Sequence, residues 1–399
     1  MSNSISQRTV RIQQAMQPFL EFFLESAFAQ RQNDPTINNF AIGNPHEMPL
    51  PGFVNALQQQ ITPQNKDWFA YKMSEPESRA TIVKSLKTWR GVTFEPDDIF
   101  LTNGAFAALA VSLATITDPG DEVIFISPPW FFYEGLITSY GAIPVRVKVN
   151  PTTLGLDLDA IAAAITPRTR AIIINSPNNP TGVIYPSDDL KALADILTKA
   201  SARNDHTIYL MSDESYSRIV FDGQPYYSAT DYYPNSLLIY TYGKTMLTPG
   251  QRIGYIALPP TMPDRQPLRN ALMTTQVISG FSFPNALLQH ALPELEKVSI
   301  DIPHYQQKRD RMVASLRSAG YEVHAPQGTF YLLPKSPWHD DVAFTGLLNQ
   351  HDIFVLPGKV VELPGYFRLS LTASDAMIER SIPGFVAAMA HARTSLPTP

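Results

Sequence analysis

Lys244 closes an apolar run, Leu237–Thr241, in the string Thr241-Tyr242-Gly243-Lys244-Thr245, and Arg252 follows in Pro249-Gly250-Gln251-Arg252-Ile253-Gly254. A lysine desolvated at a strand end is nucleophilic and can form a Schiff base with a carbonyl; the plainer alternative is an exposed lysine beside a paired arginine. Gly243-Lys244-Thr245 has the ending of a phosphate-binding loop. That loop needs a glycine five residues before Gly243, where Leu238 stands, so a nucleoside-triphosphate site is rejected. A second apolar run, Thr207–Met211, delivers Ser212-Asp213-Glu214-Ser215-Tyr216. An acid at a buried strand end is costly unless paired. Asp213 therefore either holds a cation or a protonated ring nitrogen, or caps the next helix. Tyr216 is placed to donate to a phenolate-like oxygen.

Two turns complete the set. Asn175-Ser176-Pro177-Asn178-Asn179-Pro180-Thr181-Gly182 follows the run Ala171–Ile174, and its prolines and paired asparagines make a rigid turn that presents amide side chains. Thr102-Asn103-Gly104-Ala105-Phe106 opens a helix with small residues, which lets an anion approach free backbone N–H groups.

These stretches need elements to position them. Apolar runs of strand length (Glu122–Ile126, Ala171–Asn175, Thr207–Met211, Leu237–Thr241, Arg252–Leu258) alternate with helical patterns (Ala105–Ile116, Leu158–Ala164, Asp188–Ala200). Wholly apolar short strands alternating with helices predict an α/β fold, a mostly parallel sheet covered on both faces. Each chemical stretch then sits at a strand end, where such sheets bind ligands. After Gln289 the pattern changes. A helix near Pro303–Ser318 precedes strand runs Tyr321–His324, Thr329–Leu333, Ile353–Leu356 and Phe367–Leu371 and a helix near Ala376–Ala392. The expected division is a large domain over 53–289 and a smaller α+β domain from 290–399 joined by 1–52. The first thirty residues read as helical, with Phe19, Leu20, Phe23, Leu24 and Phe28 on one face.

Length and composition bound the function. A chain of 399 residues suggests two or three folding units. With 31 basic and 36 acidic residues the net charge is −5, which argues against a nucleic-acid partner. No cysteine is present, so disulfides, thiolate metal sites and cysteine nucleophiles are out. The eight histidines show no ligand-spaced pair, and no metal is expected. No apolar stretch approaches the roughly 20 residues needed to span a bilayer, and Met1–Gln30 lacks a secretory pattern. A soluble, cytoplasmic protein with no membrane partner is expected.

In chain order the sequence offers a helix-start anion cup, Trp130 in Pro128-Pro129-Trp130, an asparagine turn, an Asp/Tyr pair, a lysine and an arginine. This order resembles the aspartate-aminotransferase-like, class I and II family of enzymes that use pyridoxal 5′-phosphate (PLP). The likeness runs from about Phe40 to Ala392. Its most specific parts are Asn178-Asn179-Pro180-Thr181-Gly182 and the Lys244/Arg252 spacing. The resemblance implies that family's fold, a large domain with a seven-stranded, mostly parallel sheet between helices plus a smaller α+β domain. It also implies roles. Lys244 would carry the cofactor and shuttle the α-proton, and Asp213 would keep the pyridine nitrogen protonated. Tyr216 and Asn179 would bond the ring oxygen, with Asn179 also near the substrate, and Trp130 would stack on the ring. Arg252, Thr241 and the N–H groups of Ala105 and Phe106 would hold the phosphate. Arg368, in Phe367-Arg368-Leu369-Ser370, and the N–H of Gly43 would grip the substrate's α-carboxylate. A homodimer is implied too, with Tyr71 and Ser282 as the residues to cross.

The sequence departs from that family at several places. Gly243 stands where many relatives carry serine. Tyr71-Lys72-Met73-Ser74-Glu75-Pro76-Glu77 lacks the usual glycine, and Gly43-Asn44-Pro45-His46-Glu47 is unusual. No second arginine is evident for an acidic side chain. Glu21, Glu25 and Glu47 could instead receive a guanidinium, with His46 as an added acid/base. That would turn the chain toward cyclisation, elimination or oxidation of an arginine-type amino acid such as hydroxyarginine, as in capreomycidine-synthase-like relatives. Aminotransfer is the default expectation, and a ligand-sensing module without catalysis is the outlying one.

Overall fold

The computed structural model describes residues 4–395; the first three and last four residues of the segments assigned to the smaller domain lie outside the described residues. The large sheet has seven strands: β1 Ile99–Thr102, β2 Glu122–Ser127, β3 Ile143–Lys148, β4 Thr169–Asn175, β5 Tyr209–Asp213, β6 Ser236–Thr241 and β7 Gly254–Ala257. Their spatial order is β1-β7-β6-β5-β4-β2-β3. All neighbouring pairs are parallel except those made by β7, which runs antiparallel to β1 and β6.

The central strands are apolar on both faces because both are covered. On one side the helix Gly104–Ile116 packs on Val123, Phe125, Ile173, Met211 and Ile239. On the other, Ser187–Asn204 packs on Ile124, Ile172, Ile174 and Leu210. The register aligns Asn175 with Asp213 and Asp213 with Ile239. The chemical ends of β4, β5 and β6 are thereby brought to one edge.

The second core gathers Phe330, Phe344, Phe367, Phe385 and Met389. A three-stranded antiparallel sheet there places Phe367–Ser370 between Leu356–Pro357 and Tyr331–Leu332. The N-terminal segment joins it: Asn38–Asn39 pairs parallel with Ile353–Phe354, and Ser370 N–H donates to Phe40 O at 2.8 Å. That bond holds the segment leading to Gly43 beside Arg368.

Several expectations need correction. Residues Tyr321–His324 form no strand. Gly320 caps the helix Ile302–Ala319 in the left-handed region, and Tyr321 is buried by its ring while its hydroxyl donates to Phe385 O at 2.9 Å. The N-terminal helical unit is broken into Gln7–Ala15, Gln17–Leu20, a π-helical turn Glu21–Glu25 and Ala27–Arg31. Pro18 starts the second piece and Ser26 caps the last through the N–H groups of Phe28 and Ala29. No helix among the described residues is long and apolar enough to cross a membrane.

Candidate active site

A cavity of about 240 Å³ opens at the carboxyl ends of β4, β5 and β6. It is lined by Ala105, Phe106, Trp130, Asn179, Asp213, Tyr216, Thr241, Lys244 and Arg252, nine of the residues singled out from the sequence. A smaller cavity of about 130 Å³ adjoins it, shares Trp130, Asn179, Tyr216 and Lys244, and adds Gly43 and Arg368.

Lys244 lies in a single helical turn, Tyr242–Thr245, directly after β6. Its ammonium sits 5.5 Å from the Tyr216 ring centroid and 5.9 Å from that of Phe330. No carboxylate lies within ion-pair distance of it among the described residues.

Asp213 ends β5 and is buried. Tyr133 Oη donates to Oδ2 at 2.7 Å, and the N–H and hydroxyl of Ser215 donate to Oδ1 at 3.1 and 2.6 Å. Burial pushes the carboxyl upward; Ser215, Tyr133 and the Lys244 charge pull against it without cancelling it. A buried acid facing a cavity wants a cation there.

The asparagine turn works as a rigid bracket. Asn175 Nδ2 donates to Asp213 O at 2.8 Å, and Asn175 Oδ1 accepts from Asn179 N–H at 2.7 Å. Gly182, at φ 72°, closes the turn onto Asn178 O at 2.7 Å. Asn179 Oδ1 accepts from Arg368 Nη1 at 3.0 Å, which leaves the amide's own donors for the cavity.

The anion cup is the start of the helix Gly104–Ile116. Gly104 has φ +81°, and a Cβ there would lie 2.6 Å from Arg252 Nη2. The guanidinium therefore rests on the first helical turn, and Arg252 Nη1 is steadied by Pro249 O at 2.7 Å. Thr241 is buried beside it. Free N–H groups and a guanidinium in one cup suit a phosphate.

Arg368 is buried on the central strand of the small sheet. Nη2 donates to Ala41 O at 3.0 Å, the plane lies 4.1 Å over the Tyr331 ring, and buried Nε has no partner. The space beside it is kept open by Gly43, whose Cβ would lie 2.3 Å from Tyr331 Oη. Burial pushes the Tyr331 phenol up, but Arg368, Lys244 and a hydrogen bond with Tyr216 together bring it below its ordinary value.

A model of the class I and II aminotransferases matches residues 35–383. The chain belongs to this family. The class I and II aminotransferases are PLP-dependent transferases, and so is this chain. The curated relatives include the aspartate/prephenate aminotransferase of Thermus thermophilus, 28% identical over 389 residues, 95% of this chain and 98% of that one. The aspartate aminotransferase of Geobacillus stearothermophilus is 28% identical over 77% of this chain and 80% of its own. Among solved structures, an aminotransferase from Eubacterium rectale superposes with a TM-score of 0.88 at 28% identity, covering 98% of this chain and 99% of its own. The Thermus thermophilus aspartate aminotransferase crystallised with maleate gives 0.81 at 26% identity, over 97% and 100%. The class I and II fold, with its mixed seven-stranded sheet between helices, is as the resemblance implied.

Five expected residues lie outside both cavities. Tyr71 is 84% exposed and packs its ring 4.7 Å from that of Phe283, next to Ser282. His46 is half-buried, its Nε2 unpartnered and its imidazole held below its ordinary value by burial and by Lys308. Glu47 turns away to Lys308 Nζ at 3.0 Å. Glu21 and Glu25 also miss the cavities; Glu21 faces Lys359 at 3.6 Å. Sequence reasoning overlooked Tyr133, Ser215, Asn175 and Tyr331. Tyr133 is masked by the aromatic run Trp130–Tyr133, which reads as core. Ser215 and Asn175 lay inside motifs whose other members drew the attention. Tyr331 lay in a strand pattern whose polar tip alternation hides.

Proposed function

We propose that this chain is an aminotransferase that passes the amino group of an L-amino acid to a 2-oxo acid, with its chemistry at Lys244. The observation that carries this reading is the convergence on one cavity of an amine, a buried acid, a phenol, an amide and a cationic cup, with a buried guanidinium in the adjoining one. The donors present fit PLP: the cup at Gly104–Arg252 matches a phosphate, and Asp213 matches a ring cation.

PLP supplies an aldehyde for the amine and an electron-withdrawing ring for the α-carbon's electrons. The chain does the rest. Lys244 would hold the cofactor between turnovers and would take and return the proton of the substrate's α-carbon. Asp213, oriented by Tyr133 and Ser215, keeps a proton on the ring nitrogen. Tyr216 and Asn179 would donate to the ring oxygen, and Trp130 would stack on the ring. Arg252, Thr241 and the N–H groups of Ala105 and Phe106 hold the phosphate. Arg368 and the Gly43 N–H hold the α-carboxylate, a pairing whose geometry suits a guanidinium fork.

The large domain is placed at 53–289 and the smaller at 1–52 with 290–399, so that the α-carboxylate clamp and the proton-moving lysine come from different units. The working form is a homodimer. Tyr71 and Phe283 are exposed and pack against each other, and Tyr71 is the residue that would cross to the neighbouring subunit's phosphate cup.

The test is to mix cofactor-loaded protein with single amino acids and no 2-oxo acid, follow the cofactor's absorption and weigh the product. Stable conversion of the cofactor to its amine form with release of a 2-oxo acid supports aminotransfer. A product that has lost water or ammonia, with the cofactor restored, would replace this reading by a lyase.

A further inference from the structure

The substrate's side chain must lie beyond the carboxylate clamp, and the walls there have a distinct chemistry. Among the described residues, the charged groups lining the two cavities are Asp213, Lys244, Arg252 and Arg368. Each is already committed. Asp213 is bound by Tyr133 and Ser215, Arg252 rests on Gly104, and Arg368 is fixed by Asn179 and Ala41. Lys244 is the reacting amine. No charge remains for the far end of a substrate.

What remains is mostly aromatic and apolar, with Asn44 as a neutral polar member. Phe23, Ile42, Trp130 and Phe131 line the smaller cavity with Tyr331. Phe106 continues the wall into the larger one, 37% exposed, with its ring edge-on to Trp130 at 4.8 Å. The wall is built rather than incidental. Phe131 stacks on Phe19 at 4.9 Å, Phe19 contacts Phe23 at 4.4 Å, and Phe23 meets buried Phe28 edge-on at 5.8 Å. The π-helical turn Glu21–Glu25 sets this register, burying Phe22 on Phe28 while Phe23 faces the cavity. In the groove behind Phe131, two of the three basic groups are engaged, and Arg11 lines it with no ion pair among the described residues. Arg146 is held by Glu134 and Glu362, and Lys359 faces Glu21.

We propose that the side-chain subsite, formed by Phe23, Ile42, Phe131 and Phe106, selects apolar and above all aromatic L-amino acids over acidic and basic ones. The inference rests on the aminotransferase reading. An apolar ring gains by leaving water against these walls, whereas a carboxylate or guanidinium placed there would lose its hydration with no partner to replace it.

The holoenzyme is tested in two ways. First, rates of cofactor conversion are compared for phenylalanine, leucine and alanine against aspartate, glutamate and arginine. Phenylalanine is expected to exceed aspartate by at least ~10-fold in kcat/KM. Phe131→Ala and Phe23→Ala are expected to lower the phenylalanine value ~10-fold more than the alanine value. Second, binding of 3-phenylpropanoate and of succinate, which need no turnover, is measured through the cofactor's absorption. Tighter binding of 3-phenylpropanoate supports the subsite. Tighter binding of succinate, or faster reaction of aspartate or arginine than of every apolar amino acid, overturns it. If no amino acid converts the cofactor, the aminotransferase reading fails, yet the binding pair still decides the subsite.

Discussion

The hydroxyl of Tyr133 donates to the buried Asp213 Oδ2 at 2.7 Å. Tyr133 opens the helix Tyr133–Ser139, three residues after Trp130, so the ring that packs on Trp130 at 5.5 Å also orients the acid. Asp213 is raised by burial and lowered by Ser215, Tyr133 and Lys244. Removing one of the lowering donors must raise it further.

Tyr133→Phe is therefore expected to move the acid limb of the kcat/KM profile to higher pH and to reduce kcat about tenfold. A hydrogen bond to a charged group contributes about 1.5–3 kcal/mol, one to two decades. Cofactor content should change little, because the ring stays, and the melting temperature should fall modestly with the lost bond to a buried charge. An unmoved pH profile would show that Tyr133 only fills space.

A second expectation concerns Asp213 itself, in cofactor-free protein. Its folded pKa lies above its ordinary value because burial dominates. Such a group favours the folded state fully below the ordinary value, and that contribution is lost as pH rises through the folded pKa. Above that folded pKa the cofactor-free protein carries a buried carboxylate lacking its ring cation. Asp213→Asn keeps an acceptor for the Ser215 N–H, and Tyr133 can accept instead of donate. The cofactor-free variant should melt at the same temperature as the parent or higher at pH 7, with the gap narrowing toward about pH 4. Its cofactor affinity should fall more than tenfold. A variant that melts well below the parent at pH 7 would contradict this sign.

Much of this was legible in the sequence, for identifiable reasons. β2, β4, β5 and β6 are buried on both faces, so their runs were unbroken and their ends marked the site. Lys244, Asp213 and Arg252 stand out because a charge directly after such a run has few structural excuses. β1, only four residues long, was missed although wholly buried, and other missed elements lacked that contrast. β3, at the sheet edge, buries only Val147, and the helix Pro51–Gln60 buries only Phe53 and Ala56. Glu47 illustrates the other limit. Its place near Gly43 in the chain suggested the cavity, but Lys308 lies 261 residues on and draws it aside. Long-range pairing of this kind leaves no local trace. Aromatic walls are equally silent, since Phe23 and Phe131 read as core until the fold shows one face of each open to the cavity.

The phosphate cup depends on a residue with no side chain. Gly104 holds φ +81°, a region that costs other residues about 1–2 kcal/mol, and a Cβ would press on the Arg252 guanidinium. Gly104→Ala is expected to weaken cofactor binding at least tenfold, measured by titrating cofactor-free protein. With cofactor saturating, the KM for the amino acid should stay within a few-fold of the parent. Loss confined to the amino-acid KM would move the cup elsewhere.

Arg368 offers the sharpest separation of roles. Its fork is fixed by Asn179 Oδ1 and Ala41 O, each at 3.0 Å, and its plane lies on Tyr331. Lysine at this place would keep the charge but lose the fork and the stacked plane. Arg368→Lys should raise the amino-acid KM about a hundredfold, close to 3 kcal/mol of lost charged hydrogen bonding. Neither residue of the cup is touched, so cofactor affinity should hold. Because Asn179 would lose its Arg368 donor, a small shift in the cofactor's absorption should accompany the change. Equal losses in cofactor and amino-acid binding would mean that Arg368 braces the junction between the two cavities instead of gripping the substrate.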